Sequence, residues 1–142
     1  MFPITAFFAA LLAAYFVRLA FAVIRLRRGN KVALGAGGVA ELEGAIRAHG
    51  NFAEYVPLGL ILLALLEGNA GHPLLIAVLG CGLTIGRVLH ATALSRGDLK
   101  LRVKGMKLTV TALIAAAVAN LVYASWSFTT SQSLQGSPQT TP

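Results

Sequence analysis

Long apolar blocks separated by short polar segments dominate this chain. The blocks cover residues 2–24, 39–66, 74–94 and 103–124, and residues 127–142 are rich in Ser, Thr, Gln and Pro. About 20 apolar residues in a helix cross the ~30 Å hydrocarbon core of a bilayer. The pattern therefore predicts an all-α membrane protein, a four-transmembrane-helix bundle over residues 1–126, followed by a polar tail that we expect to be disordered.

Basic residues cluster in two of the segments between blocks. One cluster contains Arg25, Arg27, Arg28 and Lys31, and the other contains Arg96, Lys100, Arg102, Lys104 and Lys107. Lys and Arg beside membrane spans mark cytoplasmic loops, so we expect both termini to be external. The net charge of +7 then reflects this topology and contact with anionic lipid heads, and no nucleic-acid partner is expected. Short loops and the lack of a transit peptide favour a bacterial inner membrane.

Composition supports the same class. Hydrophobic residues make up 56% of the chain and charged residues 12%, against about 25% charged in ordinary soluble proteins. Cys81 is the only cysteine, so no intrachain disulfide is expected, and no clustered His indicates a metal site. We interpret Cys81 as a small buried hydrophobic residue.

The second block carries polar residues on one helical face. Arg47, Asn51 and Glu54 recur at i, i+4 and i+7. If Glu67 marks the far edge of the hydrocarbon, Glu54 lies ~20 Å from that edge, at ~1.5 Å per residue. A carboxylate at that depth is costly unless it faces protein, a partner charge or water. This face is therefore a candidate functional site.

The third block contributes Arg87 and His90, which share a face because they lie three residues apart. Counted from Leu74, Arg87 lies at ~20 Å, the same depth as Glu54, so we predict a buried Arg87–Glu54 pair. The pair has two interpretations, a structural contact between helices or part of a binding site. Arg18 in the first block also has two interpretations. Its side chain extends to the inner membrane interface, or it turns into the bundle.

The charged set at the cytoplasmic ends, which also includes Arg102, suits one kind of ligand. Guanidinium groups hold carboxylates bidentately, and Asn and Glu can receive amide and ammonium groups. These residue types favour a small zwitterionic molecule with several carboxylates. The sequence shows no Ser-His-Asp set, paired catalytic carboxylates or metal-ligand spacing.

The pattern Arg47-x-x-x-Asn51-x-x-Glu54-Tyr55-x-Pro57-Leu58 on the second of four spans resembles the signature of the MAPEG family. These are the membrane-associated proteins of eicosanoid and glutathione metabolism, which include microsomal glutathione transferases. Arg87-Val-x-His90 resembles the third-helix motif of the prostaglandin synthase branch, and the basic run ending at Arg102 resembles the start of the family's fourth helix. The likeness covers roughly residues 5–125.

This resemblance implies a homotrimer that binds glutathione between subunits near the cytoplasmic face. By that likeness Arg47, Asn51 and Glu54 grip the tripeptide, and Arg87 and His90 contribute from the third span. Arg102 approaches the sulfur as the catalytic residue. The expected function is a glutathione-dependent transferase or peroxidase that acts on lipophilic electrophiles arriving through the bilayer.

Two departures from the family pattern bear on activity. Gly50 stands where the prostaglandin synthase branch has a second Arg, and Leu94 stands where many active members have a Tyr. An alternative alignment places Lys104 instead of Arg102 beside the thiol. The rival hypothesis is a non-catalytic lipid-binding or scaffold protein of the same family. A transporter is disfavoured because no internal repeat is visible.

Overall fold

The computed structural model describes the backbone of residues 1–135 and side chains as far as Trp126. Within that range the chain forms four helices: α1 (Pro3–Asn30), α2 (Ala40–Gly68), α3 (Pro73–Arg96) and α4 (Leu99–Gln135). Each contains a stretch long and apolar enough to cross a membrane. The prediction of an all-helical, four-span chain is confirmed.

The helices extend further than the apolar blocks. α1 continues past Ile24, so Arg27 and Arg28 lie in its last turn, and it ends at the left-handed Lys31 (φ 56°). α3 and α4 are separated only by residues 97–98, so Arg102 belongs to α4 and not to a turn. Hydropathy marks the hydrocarbon, whereas helical hydrogen bonding continues through the polar interface, so helix bounds and apolar blocks differ. Of the predicted disordered tail, 127–142, no side chain is described, and residues 136–142 lie outside the described residues altogether.

α2 and α3 each contact the other three helices, and the apolar stretch of α3 is the most buried of the four. The buried core joins residues from every helix, among them Phe8, Leu12, Phe52, Leu63, Ile76, Leu83 and Ala116. Large apolar side chains also cover the outside, including Phe7, Phe21, Ile61, Ile85, Ile114 and Leu121. An apolar exterior suits contact with lipid. Cys81 lies on this exterior, so its interpretation as a buried residue was wrong for the single chain.

α3 and α4 pack with backbone close to backbone. A Cβ atom at Gly86 would lie 2.5 Å from Thr109 Oγ1 and 3.0 Å from the Gly105 carbonyl oxygen. A Cβ atom at Gly105 would lie 2.6 Å from the backbone nitrogen of His90. Small residues let membrane helices pack backbone against backbone. Glycine is therefore required at both positions, and this crossing sets the rotation of α3 relative to α4.

At the opposite end, Glu67 of α2 caps the start of α1. Its two carboxylate oxygens accept hydrogen bonds from the backbone N–H groups of Ile4 (3.0 Å) and Thr5 (2.8 Å). These first-turn N–H groups have no partner within the helix, and a carboxylate there also complements the helix dipole. Glu67 thus joins the C-terminal end of α2 to the N-terminal end of α1.

The α3–α4 crossing generates a first prediction. Gly105→Ala places a methyl group against the backbone of α3, so we expect a loss of about 1–3 kcal/mol of stability, measured by thermal unfolding in detergent. Gly29→Ala is the matched control, because Gly29 is an exposed helical position of α1 and its Cβ would meet no atom of a neighbouring element within 4 Å. It should be neutral or stabilising by up to about 1 kcal/mol. Equal melting temperatures for the two variants would contradict the close crossing.

The Glu67 cap generates a second prediction. Glu67→Ala removes the acceptors of two first-turn N–H groups and should cost about 1 kcal/mol of stability. Glu41→Ala is the control, since Glu41 is an exposed acid of the same helix. Hydrogen exchange should show faster exchange of the Ile4 and Thr5 amides in the first variant only. Unchanged protection of these amides would argue against the cap.

Candidate functional site

The polar face of α2 forms as predicted and points away from the core of the single chain. Arg47 and Glu54 are exposed, and Asn51 is half-buried between them. Arg47 NH2 lies 3.1 Å from the Glu43 carboxylate one turn earlier, the one ion pair of the described residues. The Asn51 side-chain oxygen is buried and has no hydrogen-bond partner. The face thus combines an exposed cation and anion with an unsatisfied amide.

Arg87 is enclosed at the junction of α2, α3 and α4, with only 1% of its surface exposed. Its Nε donates to Thr109 Oγ1 (2.9 Å), and one terminal nitrogen donates to the backbone oxygen of Asn51 (3.4 Å). Its guanidinium carbon lies 4.8 Å from the centre of the Tyr55 ring, a cation–π contact. The guanidinium group is therefore held by neutral groups.

The predicted Arg87–Glu54 pair is wrong for the single chain. Glu54 is exposed, whereas Arg87 is buried and bonded elsewhere. The depth of both residues along the bundle was estimated from residue counts, which say nothing about rotation about the helix axis. Tyr55 follows Glu54 by about 100° around α2, and Tyr55 is the residue that faces Arg87.

His90 lies on the same face of α3 as Arg87, as predicted, but this face packs against α4. It is only 2% exposed, and its Nε2 has no hydrogen-bond partner among the described residues. The backbone of His90 is the part that meets Gly105. The structure therefore encloses both α3 residues of the predicted set and leaves both charged α2 residues exposed.

The first turns of α4 place Arg102 and Lys104 at the surface, and both side chains are exposed. Exposure alone does not distinguish between them as the cation beside a thiol. Leu94, at the position of the missing tyrosine, packs against the core cluster and is a packing residue here. Its carbonyl oxygen lies 3.2 Å from where a Cβ of Gly44 would be, so α2 and α3 are also close at this level.

Sequence reasoning missed the residues that hold Arg87 from α4. Thr109 is fully buried, and its hydroxyl donates to the Gly105 carbonyl oxygen (2.9 Å) while accepting from Arg87. Met106 Sδ lies 3.8 Å from a terminal nitrogen of Arg87. The signal that was available is Gly105-x-x-x-Thr109, a small-residue spacing typical of membrane helix interfaces.

Comparison with known proteins shows the family of this chain. The family model "MAPEG family" matches residues 5–122. The inner membrane protein YecN of Escherichia coli K12 is 36% identical over 123 residues, which are 87% of this chain and 94% of YecN. YecN of Escherichia coli O6:H1 gives the same values. This chain is a membrane protein of the MAPEG family.

Proposed function

We propose that this protein is a glutathione-dependent transferase, or peroxidase, of a bacterial inner membrane, and that it works as a homotrimer. The observation that carries the proposal is the polar face of α2. Glu54 and Arg47 are exposed on the single chain although they lie on a helix whose apolar stretch is long enough to cross a membrane. A carboxylate within the hydrocarbon is costly against lipid, so a second subunit and a bound ligand would cover this face.

The chemistry of the face fits glutathione. Arg47 can hold one of its carboxylates, and Glu54 can accept a hydrogen bond from its ammonium group. Arg87 and His90 are enclosed, so we assign them the role of positioning α2 and α4. Arg87 does this through Asn51, Tyr55 and Thr109.

We assign Arg102 as the cation that lies beside the glutathione thiol and increases its reactivity. A cation beside a thiol lowers the pKa of that thiol and so favours the nucleophilic thiolate. Glutathione, when bound, would supply the sulfur nucleophile that displaces a leaving group from an electrophilic carbon, and Arg102 would stabilise the thiolate form of that sulfur. The apolar exterior of the bundle would let such an electrophile approach from the bilayer. We place the basic helix ends in the cytoplasm and both termini outside, by the positive-inside rule.

A non-catalytic lipid-binding or scaffold protein is the second candidate. Leu94 favours it, because a packing residue without a hydroxyl stands where many active family members have a tyrosine. Conjugation of glutathione to an aryl halide distinguishes the two. Turnover above the uncatalysed rate supports the transferase, and glutathione binding without turnover supports the scaffold.

Binding of glutathione to the purified protein tests the proposal. Calorimetry should give a dissociation constant in the micromolar-to-millimolar range, corresponding to about 4–8 kcal/mol. Arg47→Ala should weaken binding at least about tenfold, because a charged hydrogen bond to a carboxylate contributes about 1.5–3 kcal/mol. Lys107→Ala, which removes an exposed cation of α4 outside the predicted set, should leave affinity unchanged. Absence of binding by the unaltered protein at high ligand concentration would refute the proposal.

The thiolate of bound glutathione tests the assignment of Arg102. Arg102→Leu should raise the pKa of the bound thiol by about 1–3 units, so the thiolate absorbance near neutral pH should fall. Lys104→Leu should leave the titration midpoint of the bound thiol unchanged. The reverse result would assign Lys104 as the neighbouring cation, and no change in either variant would exclude both.

A further inference from the structure

A cavity of about 800 Å³ lies between α1, α2 and α3, at the end of the bundle where the basic residues gather. None of the six residues of the predicted site lines it. One wall of the cavity consists of α1, and the other consists of small residues of α2 and α3. These small residues are Gly44, Ala45, Ala48, Ala91, Thr92 and Ser95. This cavity belongs to one chain and is separate from the polar face of α2.

The side chains that line the cavity carry a net positive charge. Arg18, Arg25 and Arg96 line it, and Glu41 is the one acidic residue among its lining. None of these arginines forms an ion pair in the part of the chain that the structure describes. Arg18 has its guanidinium carbon 5.1 Å from the centre of the Tyr15 ring. The cavity therefore favours an anion.

The arginines are spread along the membrane normal. Arg18 and Arg25 are seven residues apart on α1, which corresponds to ~10 Å. Arg25 and Arg96 lie near helix ends, at the level expected for lipid headgroups, whereas Arg18 lies deeper in the apolar part of α1. Arg18 is exposed and lines the cavity, so its guanidinium group is open to whatever occupies the cavity.

The deeper wall of the cavity is apolar. Leu19, Ala48 and Ala91 are buried there, and Phe21 on the outer side of α1 is 64% exposed. Phe21 belongs to the apolar exterior, so the cavity opens toward the space that lipid occupies. A soluble anion would make no favourable contact with an apolar wall at this depth. An amphiphile would contact both the basic residues, with its headgroup, and the apolar wall, with its chain.

We propose that this cavity binds one anionic phospholipid, with its headgroup extending from Arg25 and Arg96 down to the deeper Arg18 and part of an acyl chain against Leu19, Ala48 and Ala91. Basic pockets between membrane helices on the cytoplasmic side are suited to such headgroups. The site is independent of the proposed glutathione site, because the cavity lining and the polar face of α2 share no residue. A lipid held here fills the space between α1 and the α2–α3 pair.

Native mass spectrometry of the full chain, delipidated in detergent, tests this proposal. Phosphatidylglycerol should bind as one molecule per chain and more tightly than phosphatidylcholine. The double variant Arg18→Gln/Arg96→Gln should weaken that binding about 20–30-fold, at about fivefold for each cation near a phosphate. Lys100→Gln/Lys107→Gln removes the same net charge from exposed positions of α4 outside the cavity and should bind as the unaltered chain does.

A second variant tests the apolar wall without changing charge. Ala45→Leu fills part of the cavity and should weaken phosphatidylglycerol binding. In a separate competition experiment on the unaltered chain, excess inorganic phosphate should not displace the lipid. Circular dichroism and gel filtration of each variant confirm the fold. Equal weakening in the two double variants would refute the site, as would unchanged binding in Arg18→Gln/Arg96→Gln or displacement by inorganic phosphate.

Glutathione affinity, measured on the same proteins, separates the two proposals. Arg18→Gln/Arg96→Gln should retain the glutathione affinity of the unaltered chain. Competition between glutathione and phosphatidylglycerol would overturn the independence of the cavity. Failure of the unaltered chain to bind glutathione would refute the proposed function only, since the lipid measurement does not depend on it.

Discussion

The burial of a guanidinium group between three helices is the constraint on which the rest of the structure depends. Arg87 is only 1% exposed and has no carboxylate partner in the described part of the chain. A buried cation is tolerated only where hydrogen-bond acceptors and polarisable groups surround it. Thr109, the Asn51 backbone and the Tyr55 ring provide these groups, and they come from α4 and α2. Arg87 therefore fixes the position of α3 relative to both neighbours.

That arrangement requires α3 and α4 to be nearly in backbone contact. Thr109 can reach Arg87 because Gly86 and Gly105 allow the two helices to approach without side chains between them. The same crossing encloses His90, whose backbone lies against Gly105. One local feature of the sequence, a pair of glycines on facing helices, thus decides that two ionisable residues are internal.

The charged groups of the two proposed sites lie on separate surfaces. Arg47 and Glu54 are exposed on α2, and Arg102 is exposed on α4, where a second subunit and glutathione would cover them. Arg18, Arg25 and Arg96 line the cavity behind α1. In a membrane each of these surfaces needs a polar or anionic occupant, because lipid chains cannot satisfy a charge. The polar face of α2 has both signs of charge, so a zwitterion such as glutathione is proposed there. The cavity is mainly basic and has an apolar wall, so an anionic phospholipid is proposed for it.

The sequence by itself determined the class of protein, the number of spans, the family and the shared faces of Arg47, Asn51 and Glu54 and of Arg87 and His90. Hydropathy and helical periodicity are properties of consecutive residues, so they can be read without knowing how helices pack. Only the tertiary structure decided which way each face points. It paired Arg87 with Tyr55 and Thr109 instead of Glu54, exposed Cys81, and placed Arg18 in a cavity. Rotation of one helix against another is set by side-chain volumes at the helix crossings, and at Gly86 and Gly105 this volume is zero. Residue spacing within a single helix does not predict that rotation.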